Sequence, residues 1–429
     1  MSNIIKVSFI SWSLVASLVA QDLQDEENRD RLHSVKKAIG SVSQTPQKEL
    51  DIVDGFWHMF HDGKVTGQIR SIYSGYNYKN SDDTYATALG GFVKYELAEY
   101  KGLSAGVEFI TSNDIGWASG ENEKRNVELS SSKGVYTQLN EAYVNYNYEN
   151  FKLRLGRQTL DTPLADSDDI RMIPNSFEAY VLTYESDTIT VMAGSLQQWQ
   201  GYDADLDNEW IKTGEDGTYF GGLSYSNKLI DANVWYYNIN GVAGDATANN
   251  SYYGDIVGHY HVSKEVLVHV GAQYLMQNEL DKSGVEANIF GLTAELVVKD
   301  FGFNIAYNKS LKQSNKQSFS GFGGGTLFTN MDSMILDAIT LDRDAEAIVG
   351  GISYGVDDFS LFYAYGDFNG QADSAGLKEH IIEQNIGLEY SREENFTLAA
   401  IYTQDDDKEN SGANDGDWNN VRVLATYNF

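Results

Sequence analysis

The sequence predicts an all-β protein: a transmembrane antiparallel β-barrel of about eighteen strands. Three observations lead there. Apolar and polar residues alternate with a period of two from Lys64 to the last residue. The gaps between the alternating segments are short and long in turn. The composition of 28 Tyr, 19 Phe, 7 Trp, 40 Gly and only 3 Pro suits strands that curve, carry aromatic girdles and pair every backbone N–H.

Composition also excludes several classes. With 62 Asp+Glu against 31 Lys+Arg, the net charge of −31 repels a phosphate backbone, so a nucleic-acid partner is ruled out. The chain has no cysteine, which removes disulfides and thiolate chemistry and suits an exported protein. Mean hydropathy is −0.39, too polar for a helical membrane protein but compatible with a barrel, in which only alternate residues meet lipid.

The N-terminus reads MSNIIKVSFISWSLVASLVAQDLQ. Lys6 precedes an apolar run from Val7 to Ala20 that is too short to span a bilayer as a helix, so residues 1–20 read as a signal peptide. Residues 21–62 are charged and helix-compatible and read as a periplasmic extension; residues 63–429 read as the barrel.

The alternation assigns the strands. In KVTGQIRSIY, Val65, Ile69 and Tyr73 face one way and Thr66, Gln68 and Arg70 the other; LSAGVEFIT, FGFNIAYN and VRVLATYNF repeat the pattern. Strands are expected near 64–73, 86–97, 103–111, 138–148, 151–158, 177–185, 189–197, 219–226, 230–239, 252–262, 266–275, 287–297, 301–308, 346–354, 359–368, 380–390, 396–403 and 420–429. Segments of about ten residues match a tilted strand crossing the hydrocarbon. Short gaps such as YEN, SDT and REEN alternate with long ones such as 112–137, 198–218 and 309–345, a layout that a soluble sandwich gives no reason to adopt. The chain ends at Phe429, which closes an outward series with Tyr427 and resembles the assembly signal of bacterial outer-membrane proteins.

The third long connection, RQTLDTPLADSDDIRMIPNSF from Arg157 to Phe177, holds two of the three prolines. Pro163 and Pro174 fix φ and restrict the residue before each, which suits a loop that must hold one path inside a lumen. Arg157-Gln158, Thr162-Pro163, Asp168 to Arg171 and Pro174-Asn175 followed by Phe177 resemble the third-loop region of the OprD-like outer-membrane porin family. The resemblance implies an eighteen-stranded, substrate-selective channel for small carboxylates, amino acids and peptides, with an inward-folded third loop and a ladder of basic residues along the pore. The expected function is passive, partly selective diffusion of small hydrophilic solutes (ions, carboxylates, amino acids or small peptides). A bacterial outer-membrane setting is expected, with outer-membrane lipid, lipopolysaccharide and the barrel-assembly machinery as partners, the chain acting as a monomer or a homotrimer, and no cofactor.

Asp161, Asp166, Asp168, Asp169 and Arg171 are the expected constriction residues. Inward parity adds Arg70, Lys94, Glu141, Lys152, Arg154, Gln158 and Arg422 as pore lining. Arg70 in the first strand and Arg422 in the last are expected at similar height, shear neglected. Two readings of these cations stand: a transverse field set against the loop aspartates, or partners that neutralise lumen carboxylates such as Glu108 and Glu141 and stiffen the wall. Arg157 shares the outward parity of Leu153 and Leu155 and ranks below the others.

Other constellations carry less. His259 and His261 share a face and a turn near Lys264 brings His269 opposite His259, but three lumen histidines do not by themselves make a metal centre. Asp203, Asp205 and Asp207 are spaced like the start of a calcium loop, yet Asn208 stands where its glycine belongs. Asp405 to Asp407 read as an acidic outer loop and Gly323 to Gly325 as a flexible stretch. The alternatives to a pore are a lipase-like barrel enzyme, which needs Ser and His together at the lipid-facing rim, and a soluble-stranded adhesin, which has no use for a terminal Phe.

Overall fold

The structure is a computed structural model that describes residues 52–241, 247–393, 395–409 and 417–429. The signal peptide and most of the N-terminal extension lie outside the described residues. A single antiparallel sheet closes on itself. Its wall strands are β1 (Lys64–Tyr78), β2 (Thr84–Glu96), β3 (Leu103–Asp114), β4 (Val135–Tyr148), β5 (Phe151–Gln158), β8 (Ser176–Glu185), β9 (Ile189–Gln200), β11 (Thr218–Ser226), β12 (Ile230–Ile239) and β13 (Asn249–Ser263). The circuit continues through β14 (Val266–Glu279), β15 (Ala287–Val298), β16 (Phe301–Ser310), β17 (Ala345–Val356), β18 (Phe359–Gly370), β19 (Glu379–Arg392), β20 (Phe396–Asp407) and β21 (Trp418–Asn428). These eighteen form the wall; β10 (Ile211–Lys212) only pairs antiparallel with the end of β9, and β6 (Asp161–Thr162) and β7 (Ala165–Asp166) make a small hairpin inside the third loop.

Closure is made by β1 on β21, from Gln68 opposite Asn428 to Tyr78 opposite Trp418, and it is locked at the terminus by reciprocal 2.9 Å backbone hydrogen bonds between Gly67 and Phe429. Connections at the end where β1 starts are short. Those at the other end include 115–134, 159–175, 201–217 and 311–344. Helix α1 (Ile52–His61) sits at the short-turn end, where the Met59 carbonyl accepts from the Ala98 N–H at 2.9 Å and the Met59 side chain is buried.

Outward positions are apolar and open, as the alternation predicts: Val65, Ile69, Phe109, Ile305, Leu388, Val421 and Tyr427 are all exposed. Burying such a ring of side chains in water is impossible and in lipid is favourable. Several strands run further toward the long-loop end than the alternation indicates, β1 to Tyr78 and β20 to Asp407. Beyond the lipid band outward residues need not be apolar, so the ladder continues where the period-two signal stops. Asp405 to Asp407 therefore belong to β20, with Asp405 and Asp407 buried on the lumen side, and not to an outer loop.

The inward face is polar near the short turns but not throughout. Toward the long-loop end Ile72, Ala88, Phe177, Tyr237, Tyr253, Ile289, Val349 and Phe368 point inward and are buried. They are covered by loops. The third loop and the 311–344 loop both enter the barrel: Leu164, Ala165, Phe322, Leu327, Met331 and Leu336 pack with the wall from β8 to β19, while Leu129, Met172, Ile173 and Leu206 pack on β1 to β4. A second inward loop is absent from the sequence expectation, because its apolar residues show no periodicity.

Gly323 and Gly324, expected to be flexible, are fixed in this contact. Both have positive φ, +83° and +59°, and a Cβ on Gly323 would stand 2.2 Å from Asn175 Nδ2 and 2.5 Å from the Asp166 carbonyl oxygen. Leu164 is fully buried where the two loops meet. Leu164→Ala is expected to destabilise the folded barrel by about 2–5 kcal/mol, read as a lower urea midpoint in liposomes.

Candidate solute path through the barrel

The third loop crosses the lumen because its two halves are anchored to opposite walls. Pro163 is at the tip of the β6–β7 hairpin, where its fixed φ suits the turn. The Leu164 N–H donates to the Tyr237 hydroxyl of β12 at 3.3 Å. The hairpin is tied to the 311–344 loop by Asp166 N–H to Phe322 O at 3.1 Å and Phe322 N–H to Leu164 O at 2.9 Å. Ser167 fastens the base of the loop, giving its N–H to Leu160 O at 2.8 Å and accepting the Asn175 N–H on its carbonyl at 2.7 Å.

The far half is held by β1. The Arg70 guanidinium makes a two-pronged contact with Asp169, 2.5 and 3.0 Å, and also donates to the Arg171 carbonyl at 2.5 Å. Arg70 is buried and Asp169 is exposed to the lumen. A bidentate pair of this kind fixes geometry as well as charge. The second inward loop is pinned in the same way: Arg422 of β21 pairs with Asp332, whose other oxygen accepts from Thr403 Oγ1 at 2.9 Å. Glu383 of β19 accepts the N–H groups of Ser333 and Met334 at 3.2 and 2.6 Å.

Arg70 and Arg422 are not level. Arg422 lies opposite Ser74, so along β1 they differ by 74 − 70 = 4 residues, about 13 Å of strand at the usual rise. Barrel shear, neglected in the sequence reading, separates them, and each holds a different loop.

The remaining predicted residues divide between the loop and the wall below it. Asp161 is exposed and pairs in register with Asp166 across the small hairpin. Arg171 is buried, with its guanidinium 5.1 Å from the Tyr202 ring centroid. Lys94, Glu108 and Glu141 stand abreast on β2, β3 and β4, with Lys94 Nζ 2.6 Å from Glu141 and Asn140 donating to Glu108 at 2.8 Å. Asn140 is the extra residue of a bulge between Glu141 and Leu139. Arg154 lies 4.0 Å from the Tyr143 ring centroid and donates to Asn145 at 2.8 Å. Lys152 is exposed nearer the short turns, and Gln158 is buried with its amide spent on the Gly156 and Ala179 carbonyls. Arg157 follows its outward parity and rests 4.4 Å from the Trp210 ring, near Glu178.

The cations are therefore a mixture. Arg70, Lys94 and Arg422 are paired with carboxylates, while Arg154 and Lys152 have no carboxylate within ion-pair distance among the described residues. His259 does face His269, at 2.6 Å between Nδ1 atoms, and its Nε2 is 2.8 Å from Asp231. His261 stands apart on the rim, opposite Leu267.

The fold is that of an outer-membrane porin barrel. OccAB4 of Acinetobacter baumannii superposes with a TM-score of 0.72 at 16% identity over 86% of this chain and 98% of its own. OpdK of Pseudomonas aeruginosa, solved with vanillate, gives 0.71 at 13% identity over 86% and 99%. OccAB3 of A. baumannii gives 0.74 at 12% identity over 86% and 99%. No protein-family model and no curated protein sequence matches the chain. At these identities the agreement is one of fold, and it extends over nearly the whole length of each relative.

Asp168, with φ +40°, is held beside Asp166 through an N–H to Oδ1 bond of 3.0 Å. Burial, with Asp203 adding repulsion and Arg171 opposing it, pushes its carboxyl up to about 7 from the usual 3.8. The native state then binds a proton that the unfolded chain has released, so stability falls as pH rises from about 4 to about 7 and is flat above. Asp168→Asn is expected to flatten this fall, as read from urea midpoints between pH 4 and 8.

Proposed function

We propose that the protein is a passive channel of the bacterial outer membrane that admits small hydrophilic solutes with partial selectivity. The observation that carries this reading is a lipid-compatible closed barrel whose lumen is narrowed by two loops pinned to charged wall residues. A plug without function would need apolar packing only. Here charged and polar groups run from the loops down the wall, through Asp169, Arg70, Lys94, Glu141, Arg154 and Lys152, as a route for hydrated solutes does. Asp161, Asp166, Asp168, Asp169 and Arg171 are taken as the constriction, and Arg70, Lys94, Glu141, Lys152, Arg154, Gln158 and Arg422 as the lining. The porin fold of the relatives, one of which was solved with vanillate, supports the channel reading.

The channel reading involves no cofactor and no catalytic group. It takes residues 1–20 as the export signal, residues 21–62 as a periplasmic extension ending at α1, and Phe429 as the signal read by the barrel-assembly machinery. Lipid and lipopolysaccharide surround the barrel, which acts as a monomer or a homotrimer.

Refolded protein in a planar bilayer is expected to give discrete conductance steps, and a salt gradient reads the sign of selectivity from the reversal potential. Asp169→Asn leaves the Arg70 charge without its partner and is expected to move the reversal potential toward anion selectivity. Silence from a protein that shows heat-modifiable gel migration would overturn the channel reading.

A further inference from the structure

At the long-loop mouth a cavity of about 550 Å³ opens beside the β1–β21 seam. Four aromatic side chains line it: Tyr76 and Tyr78 of β1, Trp418 of β21 and Tyr202 of the 201–217 loop. Three carboxylates, Glu128, Asp203 and Asp205, share the lining, and no cation does. The rings are set by one another, with Tyr76 stacked on Tyr78 at 5.7 Å and tilted against Trp418 at 5.2 Å. The carboxylates are oriented too: Glu128 accepts the Tyr76 hydroxyl at 3.0 Å and the Asn126 amide at 3.1 Å, and Asp203 accepts the Asn175 amide at 2.7 Å.

We propose that this cavity binds an organic ammonium ion as the first step of passage, which makes a cationic nitrogen compound the preferred solute class. The inference rests on the channel reading. Aromatic faces attract cations through the ring quadrupole, and they favour a weakly hydrated ion that can shed water at small cost. Carboxylates at the rim add the long-range attraction that brings the ion in. The Arg171 guanidinium, buried and outside the lining, already rests 5.1 Å from the Tyr202 ring centroid, so the rings offered to an incoming ion are chiefly those of Tyr76, Tyr78 and Trp418.

Other occupants fit less well. A divalent metal needs several free oxygens at short range, whereas both Glu128 oxygens and one Asp203 oxygen already accept hydrogen bonds, and no group of three His, Cys, Asp or Glu among the described residues is arranged to hold an ion. A carboxylate would meet three like charges, and the unpaired Arg171 nitrogens Nε and Nη1 are buried out of its reach.

The test is single-channel recording of the refolded full chain with choline on the long-loop side. Choline is expected to interrupt the current in a concentration-dependent way, more strongly from that side than from the short-turn side. Glu128→Gln and Trp418→Ala are each expected to raise the half-blocking concentration about tenfold, the size of a lost cation–π or charge contact, while Trp418→Phe keeps a ring and stays near wild type. Vanillate serves as the anionic control. Open channels that choline does not interrupt, that vanillate interrupts better, or that block equally in Glu128→Gln and Trp418→Ala overturn the proposal. Tryptophan fluorescence of the detergent-solubilised protein titrated with choline reads the site without conductance. A titration that is saturable in wild type and lost in Glu128→Gln upholds the site even where no conductance step is seen, which would tell against the channel alone.

Discussion

A strand edge in hydrocarbon has no water to satisfy its N–H and C=O groups, so the pairing of β1 with β21 is the constraint on which the rest of the structure depends. That pairing is staggered, and the stagger decides what the lumen looks like. Ser74, not Arg70, stands opposite Arg422. Two arginines that a flat reading puts level are displaced along the seam, and each meets a different loop, Asp169 of the third and Asp332 of the 311–344 loop. The closure thus serves twice: it removes the edge from lipid and it places the two charges that hold the interior.

Those two ion pairs explain how loops can stay inside an aqueous barrel. Packing of Leu164 against the region of Phe322, and of Met172 and Ile173 against Ile72 and Ala88, supplies apolar burial. It does not by itself fix direction. The bidentate Arg70–Asp169 contact and the Glu383 carboxylate gripping two backbone N–H groups are directional, and leaving buried Arg70 or Glu383 unpaired would be costly. Apolar packing gives the loops a reason to enter, and the charge pairs determine where they stop.

The wall was legible in the sequence because lipid imposes a two-residue period on every strand; Val65, Ile69 and Tyr73 report it as clearly as Val421 and Tyr427. The third loop was legible through a different signal, two prolines among aspartates. The 311–344 loop carried no such mark. Its Phe322, Leu327 and Met334 are apolar without rhythm, and its glycines read as slack, although a Cβ at Gly323 would collide with Asn175. The upper ends of β1 and β20 were missed for a related reason: above the lipid band the outward face loses its apolar requirement while the ladder of hydrogen bonds runs on. Parity indicates which face a strand residue takes, but partners such as Arg422 and Asp332 are set by shear and by loop path, neither of which leaves a local trace.

The two readings left open for the lumen cations are separated by height. At the loops Arg70 and Arg422 stand against carboxylates, and on the row below Lys94 stands against Glu141, an arrangement that fits the stiffening role. Toward the short turns Arg154 lies over Tyr143 and Lys152 is exposed, with no carboxylate at ion-pair distance among the described residues. The long-loop mouth carries the opposite sign in Glu128, Asp203 and Asp205. The mouth is thus acidic and aromatic, whereas the lower wall carries both signs: Glu96 accepts the Tyr143 hydroxyl at 2.6 Å beside Arg154, and Asp231 and Asp255 are buried on the lumen side. In a channel so arranged, a cation is attracted at the acidic mouth and then meets groups of both signs along the wall, so entry is where charge discriminates most.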